Sequence, residues 1–163
     1  MEIKSFNTEF TMYENRNELP AESAALLNKA HEAAQHAYAP YSRFKVGAAI
    51  LLENGEIVIG SNQENAAYPS GICAERTAAF SASALYPNIP FKKIAIIAIN
   101  LEKPLDEPIS PCGACRQVLL EYEQKYKKPL EMILSGETGH VYVFKSIHEL
   151  LPCSFHSGFL PKE

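Results

Sequence analysis

Three cysteines and one glutamate stand out because their types and spacing can build a reactive metal site. Cys73 and Glu75 form a C-x-E pattern, and Cys112 and Cys115 form a C-x-x-C pattern further along the chain. Zinc accepts three cysteine sulfurs and, in a catalytic site, leaves its fourth position to water. A carboxylate beside that position can take a proton from the water and deliver it elsewhere. The pattern therefore predicts an open zinc site with Glu75 as the proton carrier.

Two plainer interpretations of these residues stay open. A fourth sulfur, from Cys153, would close the zinc site and make it structural. A glutamate in the first turn of a helix is also stabilised by the helix dipole, without any catalytic role. The spacing of the three cysteines favours the reactive interpretation of Glu75.

Helix starts are expected to carry these thiols. Cys112 and Cys115 are three residues apart behind Pro111, so they project from one face of a first helical turn. Cys73 stands at the head of another predicted helix. The free N–H groups of a first turn favour thiolates, so two such turns can share one cation.

Length and charge restrict the possible functions. The chain has 163 residues, 47% of them hydrophobic, so we expect one domain over 1–163 with residues 1–19 as an extension of uncertain order. The net charge of -4 provides no positive field for phosphates, which argues against nucleic acid as a partner.

Hydropathy and cysteine content predict a cytoplasmic protein. No apolar run approaches the roughly 18 residues of a membrane span, and the amino end lacks the pattern of a secretion signal. In a reducing compartment the four cysteines are better explained by metal binding or catalysis than by disulfides. The five histidines lie outside the cysteine motifs, and none is assigned to zinc.

The elements follow the order α-β-β-α-β-α-β-β-α. Asn54-Gly55 predicts a tight hairpin between two aliphatic strands, and the apolar run at 92–100 is typical of a strand buried on both faces. Such alternation predicts an α/β fold, a three-layer α/β/α sandwich with a mixed sheet of roughly five strands. The helices are expected at 21–38, 73–86, 112–126 and 147–152, and the strands within 44–64 and at 92–100, 130–135 and 141–146.

The two cysteine motifs resemble those of the small zinc-dependent cytidine deaminases. The resemblance is carried by CAERTA and SPCGACRQ, supported by YSRFKVGAAI and SNQENAAYPSG upstream, and it extends from about residue 20 to about residue 155. It implies a cytidine deaminase-like fold, one Zn²⁺ per chain and a homotetramer. The implied activity is hydrolytic deamination of cytidine and 2'-deoxycytidine to uridine and 2'-deoxyuridine, with release of ammonia, in pyrimidine salvage.

The resemblance also implies roles for individual residues. Cys73, Cys112 and Cys115 would hold zinc, while Glu75 would move protons from water to the ring N3 and the leaving amine. Ser110 would place a backbone carbonyl near that amine, the Ala74 backbone would contact the base, and Phe44 would stack on the pyrimidine. Arg76 would donate a hydrogen bond to a thiolate.

The resemblance assigns further contacts to the sugar and to a neighbouring subunit. Asn62 and Glu64, on the second strand, would bind the sugar 3'-hydroxyl. Tyr68 and Phe155 would contribute aromatic rings to a neighbouring subunit's pocket.

Other functions remain as competing hypotheses. One is a deaminase of another small amine-bearing ring, such as a blasticidin-type nucleoside antibiotic or a free base, although a free-base enzyme has no sugar for Asn62 and Glu64 to hold. Editing of cytosine within RNA or DNA would require a basic channel, which the acidic composition does not favour. A noncatalytic zinc-stabilised module would use Cys153 as the fourth ligand.

Overall fold

The computed structural model describes residues 1–161. Three α-helices and six β-strands make up most of the regular structure of these residues. The helices are α1 (Ala21–Gln35), α2 (Ala74–Leu85) and α3 (Gly113–Tyr126), and the strands are β1 (Thr11–Tyr13), β2 (Phe44–Leu52), β3 (Ile57–Ser61), β4 (Phe91–Asn100), β5 (Glu131–Ser135) and β6 (Val141–Phe144).

The strands form one mixed sheet in the order β1-β6-β5-β4-β2-β3. The β4–β5 pair is parallel, and the other neighbouring pairs are antiparallel. Helix α1 packs on one face, and α2 and α3 pack on the other. The predicted three-layer α/β/α sandwich is therefore confirmed.

The sheet has six strands in the described residues, one more than the roughly five that we predicted. The additional strand, β1, lies in the extension at 1–19 and pairs with β6 at the sheet edge. The ring of Phe10, just before β1, packs on Tyr142 with a centroid distance of 4.7 Å. Three residues without apolar alternation give no strand signal, so pairing and this aromatic contact define the strand instead.

Strand β4 connects the two halves of the core. Ile94 and Ile96 pack into the layer beneath α2 and α3, whereas Ala95 and Ile97 pack toward α1. All four side chains are fully buried. Burial on both faces is what the continuous apolar run predicted, because alternate strand residues point to opposite sides of a sheet.

Helix α2 approaches the sheet closely enough to need a glycine beneath it. A Cβ atom at Gly60 in β3 would lie 2.4 Å from the backbone nitrogen of Ala78. Helix α2 carries Cys73 at its start, so this close packing fixes where that cysteine lies relative to the sheet.

The carboxyl end of the chain differs from the prediction. The segment predicted as a helix at 147–152 is a short 3-10 helix at Ile147–Leu150. It is held by Glu123, a buried side chain of α3 that accepts hydrogen bonds from the backbone nitrogens of Leu130 and Ile147 at 2.8 and 3.1 Å. The Ser146 hydroxyl donates a third hydrogen bond to this carboxylate. One carboxylate thus joins α3, the start of β5 and the terminal segment.

Substituting Glu123→Ala is expected to lower the free energy of unfolding by about 2 to 4 kcal/mol, because buried N–H donors lose their acceptor. Urea titration of the parent and variant measures this change. The control is Glu121→Ala, which removes an exposed carboxylate from the same helix. Equal stability of the two variants would contradict a structural role for Glu123.

The prediction that Asn62 and Glu64 lie within the second strand is wrong, because β3 ends at Ser61. Gln63 pairs instead with Tyr38 and Ile72 through isolated bridges.

No helix in the described residues is both long and apolar enough to cross a membrane.

Candidate active site

The three cysteines predicted as metal ligands converge at the starts of α2 and α3. Cys73 and Cys112 are the N-cap residues of these helices, and Cys115 lies buried in the first turn of α3. The three Sγ atoms lie within 4.8 Å of one another, and those of Cys73 and Cys112 are 3.9 Å apart. Tetrahedral zinc with bonds of about 2.3 Å places two sulfurs about 3.8 Å apart. The donor set therefore fits zinc.

The cluster stabilises negative charge on sulfur. The pKa of Cys73 is lowered to about 5, chiefly because Cys115 donates a hydrogen bond to it, while burial opposes this effect. The same hydrogen bond is the main reason that the pKa of Cys115 is raised. Cysteine binds a metal as the thiolate. A cysteine cluster that already stabilises one thiolate is therefore suited to a divalent cation.

Arg76 lies beside this charge. Its Nη2 atom is 3.7 Å from the Sγ atom of Cys73, and the interaction raises the pKa of the guanidinium. Its Nε atom is buried and has no hydrogen-bond partner among residues 1–161. The guanidinium thus donates to the sulfur of Cys73, which agrees with the hydrogen bond that the resemblance implied.

Glu75 occupies the first turn of α2 and contributes to the wall of a cavity next to the cysteines. Its exposed fraction is only 4%, so the carboxyl group is shielded from bulk solvent. Burial raises the pKa of its carboxyl group, and the charge of Cys73 raises it further. A carboxyl group shifted in this direction is suited to exchanging protons near neutral pH.

Cys153 does not belong to the cysteine cluster. Its side chain is exposed, and the metal-competent group within the described residues consists of Cys73, Cys112 and Cys115. No histidine of residues 1–161 joins that group. This placement does not favour the four-cysteine module, which required a fourth sulfur.

A cavity of about 700 Å³ opens beside the cysteines and is large enough for a small molecule. Ala74 is fully buried, and Phe155 is 58% exposed and lies outside the lining. The side chain of Tyr68 lines the cavity while remaining 75% exposed. The predicted site residues in the cavity lining are Phe44, Asn62, Glu64, Tyr68, Cys73, Glu75, Arg76, Ser110 and Cys112.

Asn62 fixes the beginning of β2 at the cavity wall. Its Oδ1 accepts a hydrogen bond from the Val46 nitrogen at 2.7 Å, and its Nδ2 donates one to the Phe44 carbonyl at 2.9 Å. An amide has a second N–H and a second lone pair, so both atoms retain capacity for a ligand. The side chain that orients Phe44 can therefore also contact a substrate.

Glu64, two residues further along the cavity wall, is held by backbone donors. Its Oε2 accepts hydrogen bonds from the nitrogens of Tyr41 and Ser42 at 2.9 and 3.3 Å. Hydrogen bonding with the Ser42 side chain is the main reason that its pKa is lowered, and the two backbone donors lower it further. Glu64 is thus a carboxylate with a fixed direction and a free oxygen lone pair.

The sequence did not predict the role of Arg116, which fixes the backbone next to the second cysteine motif. Arg116 donates from Nε to the Pro111 carbonyl at 2.8 Å and from Nη1 to the Leu150 carbonyl at 3.0 Å. It thereby fixes the residue before Cys112. The arginine follows Cys115 directly in the motif, but no spacing rule indicates which carbonyls it meets.

Residues 20–128 match the family model described as the cytidine and deoxycytidylate deaminase zinc-binding region. The chain belongs to this family. The matched residues include the three clustered cysteines and Glu75. Zinc is therefore the metal that this donor set is built to hold.

Individual members of the family are similar over most of the chain. The chain is 39% identical to a cytidine deaminase of Halalkalibacterium halodurans over 130 residues, which cover 80% of the chain and 91% of the relative. It is 46% identical over 97 residues to a cytidine deaminase of Sporosarcina psychrophila, covering 60% of the chain and 67% of the relative. A crystal structure of cytidine deaminase from Burkholderia pseudomallei superposes with a TM-score of 0.71 at 43% identity, covering 84% of this chain and all of that one.

Proposed function

We propose that this protein catalyses the zinc-dependent hydrolytic deamination of cytidine and 2'-deoxycytidine, releasing ammonia. The observation that carries the proposal is the buried Glu75 carboxyl group in a cavity wall that also contains Cys73 and Cys112, two members of the three-sulfur cluster. Similarity to proteins named cytidine deaminase supports the choice of substrate.

The metal ligands, Glu75 and Arg76 have different roles in the proposed reaction. Zinc, when held by Cys73, Cys112 and Cys115, supplies the Lewis acidity that activates water for attack on the base. Glu75 takes a proton from that water at a carboxylate oxygen and passes it to the ring N3 as the C4–O bond forms. It then takes the proton of the new C4 hydroxyl group and gives it to the amine, so that the C4–N bond breaks, ammonia leaves and C4 becomes a carbonyl. Arg76 donates to Cys73 and would thereby limit the negative charge that three thiolates place on a bound metal.

The cavity wall orients the nucleoside. Phe44 stacks on the pyrimidine ring, and the backbone around Ala74 and Ser110 contacts the base and its amine. Asn62 donates to the sugar 3'-hydroxyl through its remaining N–H, while Glu64 accepts from the same hydroxyl. These contacts would hold C4 of the base beside the cysteine cluster.

A nucleoside is favoured over deoxycytidylate, the other substrate in the family's description. Arg76 is the one cationic side chain among the described residues that line the cavity, and it faces Cys73. The carboxylate of Glu64 would repel a phosphate close to the sugar. Comparing turnover of cytidine, deoxycytidylate, cytosine and blasticidin tests this choice, and preference for any of the last three would overturn it.

Substituting Glu64→Gln is expected to reduce the preference for cytidine over 2',3'-dideoxycytidine by roughly tenfold, since an amide accepts a hydrogen bond from the sugar hydroxyl more weakly than a carboxylate does. Steady-state kinetics with both nucleosides measure kcat/KM for each. The control is Glu56→Gln, an exposed hairpin residue. An unchanged preference in the Glu64 variant would contradict its contact with the sugar.

We further propose a cytoplasmic homotetramer, as the resemblance implied. Tyr68 and Phe155 are aromatic side chains with large exposed fractions, 75% and 58%. Packing of such rings against a neighbouring subunit's pocket would remove apolar surface from water. Sedimentation of the purified protein tests the tetramer directly.

A further inference from the structure

The amino-terminal extension lies outside the region that matches the family and packs against the edge of the sheet. The family match begins at residue 20, whereas β1 and Arg16 precede it. Strand β1 fixes this segment against β6 through the pairs Thr11–Val143 and Tyr13–Val141. The extension is thus attached next to the turn that precedes β6.

Arg16 contacts that turn directly. Its Nη2 atom donates a hydrogen bond of 2.8 Å to the backbone carbonyl of Glu137, and the contact is partly buried. The two residues are 121 positions apart in sequence, so the bond joins the extension to the connection between β5 and β6. A guanidinium can hold a carbonyl in a defined direction because its donors form a rigid plane.

Glu137 in turn holds the loop after β4. Its Oε2 accepts hydrogen bonds from the backbone nitrogens of Asn100 and Leu105 at 3.3 and 3.0 Å. The backbone nitrogens of Glu137 and Thr138 both donate to the Leu105 carbonyl, at 2.8 and 3.1 Å. The turn and the loop are therefore joined at side-chain and backbone level.

The two segments also pack too closely to move independently. A Cβ atom at Gly139, whose φ is +78°, would lie 2.0 Å from the carbonyl oxygen of Asp106. A displacement of the turn is therefore transmitted to the loop. The loop continues to Ile109 and Ser110, which line the cavity, and then to Cys112.

We propose that Arg16 is a positioning residue for the reaction. By fixing the Glu137 carbonyl it holds the turn at 136–140, and through the turn it holds the loop that presents Ser110 to the substrate. This role rests on the proposed deamination. A small displacement of a group that contacts the substrate can lower turnover substantially, up to about 100-fold for roughly 1 Å.

The first test needs no activity. Hydrogen–deuterium exchange is compared in zinc-loaded parent protein and the variants Arg16→Ala, Arg16→Lys and Lys4→Ala. We expect Arg16→Ala to accelerate exchange in peptides covering 100–110, with α1 and α2 unchanged. Arg16→Lys should give an intermediate result because an ammonium also donates. The control Lys4→Ala removes an exposed charge from the same extension and should match the parent.

The second test measures cytidine kinetics and zinc content in the same proteins. We expect Arg16→Ala to lower kcat by about 3- to 10-fold, with smaller changes in KM and full zinc content. In combination with Glu137→Ala, the two effects on kcat should be less than multiplicative, because both substitutions release the same loop. Partial recovery in Arg16→Lys is expected.

Several results would overturn the positioning role. Unchanged exchange at 100–110, exchange raised throughout the chain, or unchanged kcat despite faster loop exchange would each do so. Fully multiplicative effects of the two substitutions would also contradict it. Absence of cytidine turnover in the parent protein, together with local exchange changes in Arg16→Ala, would instead reject the proposed function.

Discussion

Glu75→Gln is expected to lower the turnover number for cytidine by a factor of about 100 to 10,000, the usual contribution of a general acid–base residue. The amide has nearly the same shape as the carboxyl group but cannot accept and release the proton. The side chain is almost fully buried, so access of bulk water to the position of its carboxyl group is restricted. Zinc content and stability should remain near those of the parent protein.

Single-turnover kinetics and metal analysis together check this result. Glu121→Gln is the matched control, since it neutralises an exposed carboxylate on α3 without contacting the cavity. Turnover of cytidine by Glu75→Gln at close to the parental rate would remove Glu75 from the mechanism. Loss of zinc in this variant would mean that the carboxyl group supports the metal instead.

Cys115→Ser is expected to abolish both zinc binding and turnover. Cys115 is buried, and its Sγ belongs to the three-sulfur group. A serine hydroxyl does not ionise near neutral pH and is a poor zinc ligand. The loss of affinity should exceed the roughly 10- to 100-fold effect typical of a residue that only supports a ligand.

Cys153→Ser provides the comparison for this experiment. Cys153 is exposed and outside the cluster, so zinc content and turnover should be retained. Metal per chain is measured after gel filtration in the presence of a weak chelator. Loss of zinc in Cys153→Ser would revive the structural four-sulfur module, and retention of zinc in Cys115→Ser would exclude this cysteine as a ligand.

Much of the fold is visible in local patterns. The apolar run of β4 indicated burial on both faces because its residues leave no polar side for solvent. Pro111 and the cysteine spacing indicated a helix start at Cys112, where α3 has its N-cap. Side chains three apart in a first turn lie on one face, so their proximity follows from local geometry.

Other features depend on contacts that no local pattern encodes. Strand β1 exists because β6 offers an edge for pairing. Glu123 and Arg116 form hydrogen bonds with backbone groups that include ones distant in sequence. Glutamate and arginine are also common on protein surfaces, so residue type alone does not indicate these contacts. Phe155 lies outside the cavity of its own chain, and its proposed role depends on a second subunit.

The cysteines at the starts of α2 and α3 have a consequence for how metal and fold depend on each other. Serine, threonine or aspartate at such positions stabilises a helix by about 0.5 to 2 kcal/mol. Cys73 and Cys112 make no capping hydrogen bond through their side chains within the described residues. Neither cysteine therefore supplies the usual capping stabilisation, and a bound ion would stabilise both helix starts instead by tying them together.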